Sequence, residues 1–233
     1  MSKETSATPV PSCAVCSVAV PERFCRQEKG RAPANCPSTR SPELIRESLE
    51  ILKAHPEVLE FARQASIQEA EGYGDRDKGY AQVRPIKPRI QETVEFARKM
   101  KFKRIGLVFC LGMRKEAEII NKIFTDNGFE TVSVMCKAGA VSKEEIGLLR
   151  EQQINPDDFE SMCNPILQAL AANHHETEMN VIFGLCVGHD ALFLKYATAY
   201  NTVLASKDRL LAHNPLAAIY QYEGYFRYLQ GEL

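Results

Sequence analysis

The chain has no tryptophan, no surplus of either charge and no apolar run long enough to cross a bilayer. The missing tryptophan excludes nothing about function. The charge balance excludes more: 29 Lys+Arg against 30 Asp+Glu leave a formal −1. A broad nucleic-acid footprint normally shows a clear basic excess or stripe. Apolar runs such as Ile105 to Leu111 fall far short of a membrane span. The first 20 residues carry only Lys3 and Glu4 before small residues and prolines, so no apolar signal-peptide core is expected there. Neither GxGxxG nor GxxxxGK[ST] occurs, which removes the usual dinucleotide and nucleotide assignments of an α/β chain. FMN is left without any feature pointing to it. The expectation is a cytoplasmic protein that engages neither nucleic acid nor membrane.

Cysteine, by contrast, is abundant, with eight in 233 residues. A chain of this length can bury a core without covalent staples. Without an export signal, metal binding or thiol chemistry is a better explanation than disulfides.

Residues 1–12 are rich in Ser, Thr and Pro and read as disordered. From Cys13 to Pro42 there is little periodicity, which suits a small knuckle organised by its ligands. Ser41-Pro42-Glu43 opens a helical pattern, and His55-Pro56 marks a break between two helices. Residues 72–88, with Gly72, Gly74, Gly79, Pro85 and Pro88, read as a long connection. Helices are then expected at about 89–100, 113–127, 190–200 and 215–229. Between them lie apolar runs at 104–109, 129–135, 180–185 and 202–205, read as four buried strands. The alternation predicts a three-layer α/β fold, Rossmann-like or flavodoxin-like, with a parallel sheet in spatial order 2-1-3-4. Three segments follow: 1–42 cysteine-rich and metal- or cluster-binding, 43–88 a helical linker region, and 89–233 the α/β domain.

Two groups of cysteines carry chemistry. Cys13-x2-Cys16-x8-Cys25-x10-Cys36-Pro37 offers a CxxC pair and two further thiols, a sulfur-only set suited to tetrahedral zinc or an iron–sulfur cluster. Four unrelated reduced thiols are the bland alternative. In the second group, Cys110, Cys136 and Cys186 each follow a predicted strand. Ligands of an open parallel sheet gather beyond those carboxyl ends. Cys163, in Met162-Cys-Asn-Pro165, lies in the insertion before the third strand and is placed over the same edge. Buried cysteines also serve as small hydrophobes. Against that reading stand the glycines of Cys110-Leu-Gly112 and Gly184-Leu-Cys186-Val-Gly188, which allow close backbone approach to a bulky group.

Gly184-Leu-Cys-Val-Gly-His189-Asp190 sets a thiol, an imidazole and a carboxylate at a strand-to-helix turn. Its helix N-terminus would favour a thiolate or an anionic ligand. His189 is a candidate ligand or proton donor, and Asp190 reads equally as a helix cap. Lys137 follows Cys136 in Lys137-Ala-Gly139 and repeats the pairing of thiol and glycine with a cation. Lys207 after the fourth strand would add positive potential, and His213 is a candidate proton shuttle. In the bland reading Lys207 and Arg209 face solvent, while Asn214 caps the last helix with Pro215 at its first position. His174 and His175 read as non-catalytic.

Phe109-Cys-Leu-Gly112, Met162-Cys-Asn-Pro165, Gly184-Leu-Cys-Val-Gly-His-Asp190 and Lys207-Asp-Arg209 with His213-Asn-Pro215 resemble the DUF1847 family. So do the four cysteines at Cys13, Cys16, Cys25 and Cys36. The resemblance implies metal or cluster binding in the cytoplasm of anaerobic or facultative microbes, and it implies no reaction. The leading expectation is an iron–sulfur protein, [4Fe-4S] in type. Its redox or catalytic centre would lie at the sheet edge, with a second centre in the knuckle and zinc the alternative there. Cys110, Cys136, Cys163 and Cys186 would hold the cofactor, and Cys186, His189, Lys207 and His213 would serve catalysis. The partner would be a small-molecule substrate or an electron-transfer protein. Three alternatives stay open: a cluster-dependent desulfidase-like enzyme, a zinc-binding regulator or metal-trafficking protein without turnover, and a thiol enzyme using Cys186 with His189.

Overall fold

The structure is a computed structural model that describes residues 10–231. The reading of residues 1–12 as disordered therefore falls largely outside the described residues. The chain divides into two compact units, one ending at Arg63 and the other beginning at Gln64.

In the first unit, single 3-10 turns at Cys13–Val15 and Val20–Glu22 lead to helix α1 (Pro37–Arg40) and helix α2 (Pro42–Ala54). Polar contacts, not an apolar core, hold the stretch before α1. Phe24 N–H donates to Arg31 O at 2.9 Å and Arg31 N–H to Glu22 O at 2.7 Å. Arg23 Nε donates to Val18 O at 2.9 Å, and Asn35 Nδ2 to Val10 O at 3.0 Å. Gly30 is needed there, because a Cβ would lie 2.4 Å from the Arg23 carbonyl carbon. Helix α3 (Pro56–Glu71) starts after the expected break at His55-Pro56.

In the second unit the connection 72–88 contains two short antiparallel strands, β1 (Tyr73–Gly74) and β2 (Arg84–Pro85). Helix α4 (Arg89–Lys99) precedes the main sheet, whose strands are β3 (Arg104–Phe109), β4 (Glu130–Met135), β5 (Met179–Phe183) and β6 (Tyr200–Ala205). They run parallel in the order β4-β3-β5-β6, the 2-1-3-4 arrangement expected of the four apolar runs. Helix α5 (Arg114–Asp126) connects β3 to β4, α6 (Pro165–His174) precedes β5, and α7 (His189–Tyr196) lies between β5 and β6.

Strand alternation sorts the core into two faces. Ile105, Leu107, Met179, Val181 and Phe183 meet Val94 and Ala97 of α4 and Ala117, Ile120 and Phe124 of α5. Val108 and Ile182 meet Ala169 of α6 and Phe193 of α7, together with Cys136 and Leu185. Asn180 is buried on this parity as a polar link: its Oδ1 accepts from Thr177 Oγ1 at 2.7 Å and its Nδ2 donates to Asn201 Oδ1 at 3.1 Å.

The C-terminal end departs from expectation. One helix over 215–229 is predicted, but α8 covers only Leu216–Tyr220, and turns lead to a 3-10 turn at Arg227–Leu229. Asn214 does not cap α8: Pro215 holds the cap position and no side chain bonds the helix end. Leu216, Ile219, Tyr220 and Tyr225 are all exposed, so their spacing reflects no buried face here. Likewise α7 stops at Tyr196, short of 200, because β6 already begins at Tyr200.

Candidate thiol centre at the sheet edge

Cys110 leaves β3, Cys136 leaves β4 and Cys186 follows the Gly184-Leu185 step beyond β5, so three strand ends deliver three thiols to the carboxyl edge. Cys110 and Cys186 flank the point where the strand order reverses, at which an open sheet leaves a crevice. Cys163 arrives from the insertion, tied in because the N–H of the next residue, Asn164, donates to Cys136 O at 2.7 Å. Asn164 Oδ1 also caps α6 through Leu167 N–H at 2.9 Å, with Pro165 at the first helical position.

Cys136 is the hub. Its Sγ lies 3.8 Å from Cys163 Sγ and hydrogen-bonds Cys110. It is 2 % exposed, whereas Cys110 and Cys163 are half-buried. The turn Leu111–Met113 aims two N–H groups at sulfur: Leu111 N–H donates to Cys136 Sγ at 3.4 Å and Gly112 N–H to Cys110. At Gly112 a Cβ would stand 3.1 Å from Lys207 Nζ and 4.0 Å from Cys110 Sγ, so the bare glycine leaves room for the cation to reach the thiol.

The charge distribution follows from these contacts. The hydrogen bond with Cys136 lowers Cys110 to about 5, helped by Gly112 N–H and Lys207 and opposed by burial. The hydrogen bond with Cys136 likewise lowers Cys163 to about 6, helped by Lys137 and His189. Cys136, hydrogen-bonded to both, is pushed up. Burial raises Cys186 too, against the pull of Arg209, whose Nη2 donates to Cys186 Sγ at 3.0 Å.

Three cations thus serve the set: Lys207 at Cys110, Lys137 at Cys163 and Arg209 at Cys186, with His189 also beside Cys163. Arg209 does not simply face solvent, as its position in Lys207-Asp-Arg209 suggests in the bland reading. Lys137 is itself held by Ser161 O, with Glu160 Oε1 at 4.0 Å. His213 is bound up in its own turn: Nδ1 accepts from Asp208 N–H at 3.2 Å, and Asp208 Oδ1 accepts from Leu210 and Leu211 N–H. Asp190 Oδ1 accepts from Ala191 N–H at 2.8 Å, while Gly188 holds the α7 cap position.

Gln168, which sequence reasoning passed over, is fully buried on α6 and spans the ends of β3 and β4. Its Nε2 donates to Val134 O at 2.7 Å and Phe109 O at 3.3 Å, and its Oε1 has no partner.

In the first unit, Cys13, Cys16, Cys25 and Cys36 all line one cavity with Arg23, Arg31 and Asn35. Among the described residues, no three His, Cys, Asp or Glu side chains stand together in a ready-made metal-ligand set.

Fold and site define a cysteine-rich α/β protein with a polarised thiol cluster beyond the ends of a four-stranded parallel sheet. The chain belongs to the family described as Protein of unknown function (DUF1847), whose sequence model matches residues 36–204. That span holds Cys36, Cys110, Cys136, Cys163, Cys186 and His189. The chain is also 44 % identical over 134 residues to the uncharacterized protein MJ0455 of Methanocaldococcus jannaschii, covering 58 % of this chain and 67 % of that protein.

Proposed function

We propose that the protein carries a thiolate-ligated metal centre at the sheet edge, with an iron–sulfur cluster as its occupant and redox or catalytic chemistry as its use. The carrying observation is the meeting of Cys110, Cys136 and Cys163 from three chain segments, with Cys186 beside them and cations set against the thiols. Sulfur-only donors suit soft metals and iron–sulfur clusters. Thiolate-ligated centres of this kind gather negative charge, which Lys207, Arg209 and Lys137 would offset. N–H groups aimed at sulfur, as at Leu111 and Gly112, are a further means of tuning such a centre. A Rossmann-like three-layer arrangement fits the sheet order and the helices on both faces. It makes the carboxyl edge the expected place for a small-molecule substrate or an electron-transfer partner.

A zinc reading has one observation in its favour. The 3.8 Å between Cys136 and Cys163 Sγ matches the edge of a tetrahedron built on Zn–S bonds of about 2.3 Å. The four-cysteine cavity of the first unit is proposed as a second metal site, iron–sulfur or zinc, since the chain there is held by polar contacts alone.

Anaerobic purification with iron, zinc and labile-sulfide analysis tests the reading. Iron with matching sulfide that is lost on Cys110→Ser is the expected result, and stoichiometric zinc alone overturns the cluster. For the first unit, Cys16→Ser should release metal and open residues 13–42 to protease while the second unit stays folded. Full retention of metal and protection would remove that site.

A further inference from the structure

We propose that Cys163 and Cys136 form a dithiol that exchanges with low-molecular-weight disulfides, Cys163 attacking and Cys136 resolving. This goes beyond the metal reading and stands on separate geometry. The two Sγ atoms are already 3.8 Å apart, and the backbone hydrogen bond from Asn164 N–H to Cys136 O ties the two strands of chain that carry them. Closing an S–S bond of about 2.05 Å then needs the sulfurs to approach by less than about 2 Å.

Exposure assigns the roles. Cys136 is 2 % exposed and out of reach of a dissolved disulfide, whereas Cys163 is half-buried and accessible at the edge. Cys110 also touches Cys136, but Lys207 and Gly112 N–H hold it in place, and Cys186 is engaged by Arg209. Cys163, at the end of the insertion, is the thiol best placed to meet an incoming disulfide.

The chemistry balances. The Cys163 thiolate attacks one sulfur of the disulfide, an S–S bond forms to the small molecule, and the first thiolate leaves with the proton Cys163 has lost. Cys136 then gives up its proton and attacks Cys163 Sγ, forming the internal disulfide and releasing the second small thiol. Two cysteines are oxidised by two electrons, and one small disulfide is reduced to two thiols. A bound metal would occupy the same sulfurs, so the exchange belongs to the metal-free chain.

The full chain, stripped of metal under anaerobic conditions, is treated with oxidised glutathione, quenched with an alkylating agent and peptide-mapped. The expected result is a linked Cys136–Cys163 peptide with at least tenfold loss of alkylation at both positions. Dithiothreitol should reverse it. Cys136→Ser should trap glutathione on Cys163, while Cys163→Ser should leave Cys136 unmodified in the folded chain. The wild-type map alone is decisive if either variant misfolds. Unlinked, fully alkylated Cys136 and Cys163, or a Cys110–Cys136 link in their place, overturns the proposal. Metal analysis of the untreated protein is read separately. A metal-bearing chain that forms no link once stripped overturns only the exchange, and a metal-free chain that forms the link overturns only the metal centre.

Discussion

Arg209 Nη2 donates to Cys186 Sγ at 3.0 Å, and two residues earlier Lys207 reaches Cys110. One segment beyond β6 thus supplies a cation to each thiol flanking the reversal of strand order.

Replacing Arg209 tests this pairing. Arg209 pulls the Cys186 thiol down against a burial effect that pushes it up, so Arg209→Gln should raise it further. Alkylation of Cys186 in the metal-free chain at neutral pH should slow by about three- to tenfold, as one pK unit is a tenfold change. Unchanged kinetics would mean that the guanidinium does not govern this thiol.

Removing the hub should be felt at two other cysteines. The hydrogen bond with Cys136 is the leading cause that lowers both Cys110, to about 5, and Cys163, to about 6, from an ordinary 9.0. In metal-free Cys136→Ala both midpoints should move up, so the thiolate absorbance near neutrality falls. A titration curve superimposing on that of the wild type would refute the assignment of Cys136 as the shared hydrogen-bond partner.

Acid stability should depend on a site remote from the thiols. Glu95 is lowered from 4.5 to about 2, first by Lys87 and then by Gln68 and Gln91, with Lys87 Nζ at 2.6 Å. The unfolded chain therefore takes up this proton first as pH falls. The stabilisation is complete above about 4.5 and fades toward 2. Lys87→Met should flatten the fall in urea midpoint across that window, and an unaltered pH slope would count against the pair.

Gly106 should tolerate no side chain. A Cβ there would stand 2.1 Å from Asn180 Oδ1, the acceptor that Thr177 Oγ1 bonds in the buried polar link. Displacing it strands buried polar groups, so Gly106→Ala should cost roughly 2–4 kcal/mol in chemical unfolding. A loss under about 0.5 kcal/mol, typical of neutral surface changes, would show that Asn180 can move aside.

The sheet was legible because its strands are short continuous apolar runs, and the order 2-1-3-4 is one that right-handed crossovers favour. β3 coincides with the run Arg104 to Phe109, whereas β5 spans Met179–Phe183 against an expected 180–185, because the chain turns at Gly184 with positive φ. The end of the chain was not legible in the same way. Leu216, Ile219, Tyr220, Tyr222 and Tyr225 have helix-like spacing, but their exposure shows that no neighbouring layer selects one face. The strand-end thiols were visible from position alone. Arg209 was not, because a charge beside a loop looks the same in sequence whether it meets water or a thiol. Gln168 was hidden for a related reason: a lone amide in an apolar helix reveals its role only when its carbonyl partners are known.

That glutamine also links two distances that would otherwise vary independently. Helix α6 begins two residues after Cys163, and one turn into it Gln168 grips the backbone of both strands that carry Cys110 and Cys136. The helix is thus a gauge block between the insertion and the sheet. Sliding it by one residue, about 1.5 Å along its axis, would release the grip on the strands and carry Cys163 away from its neighbours in the same movement. The insertion before α6 can therefore change in length at its outer loop, whereas the stretch from Cys163 to Gln168 has a fixed count.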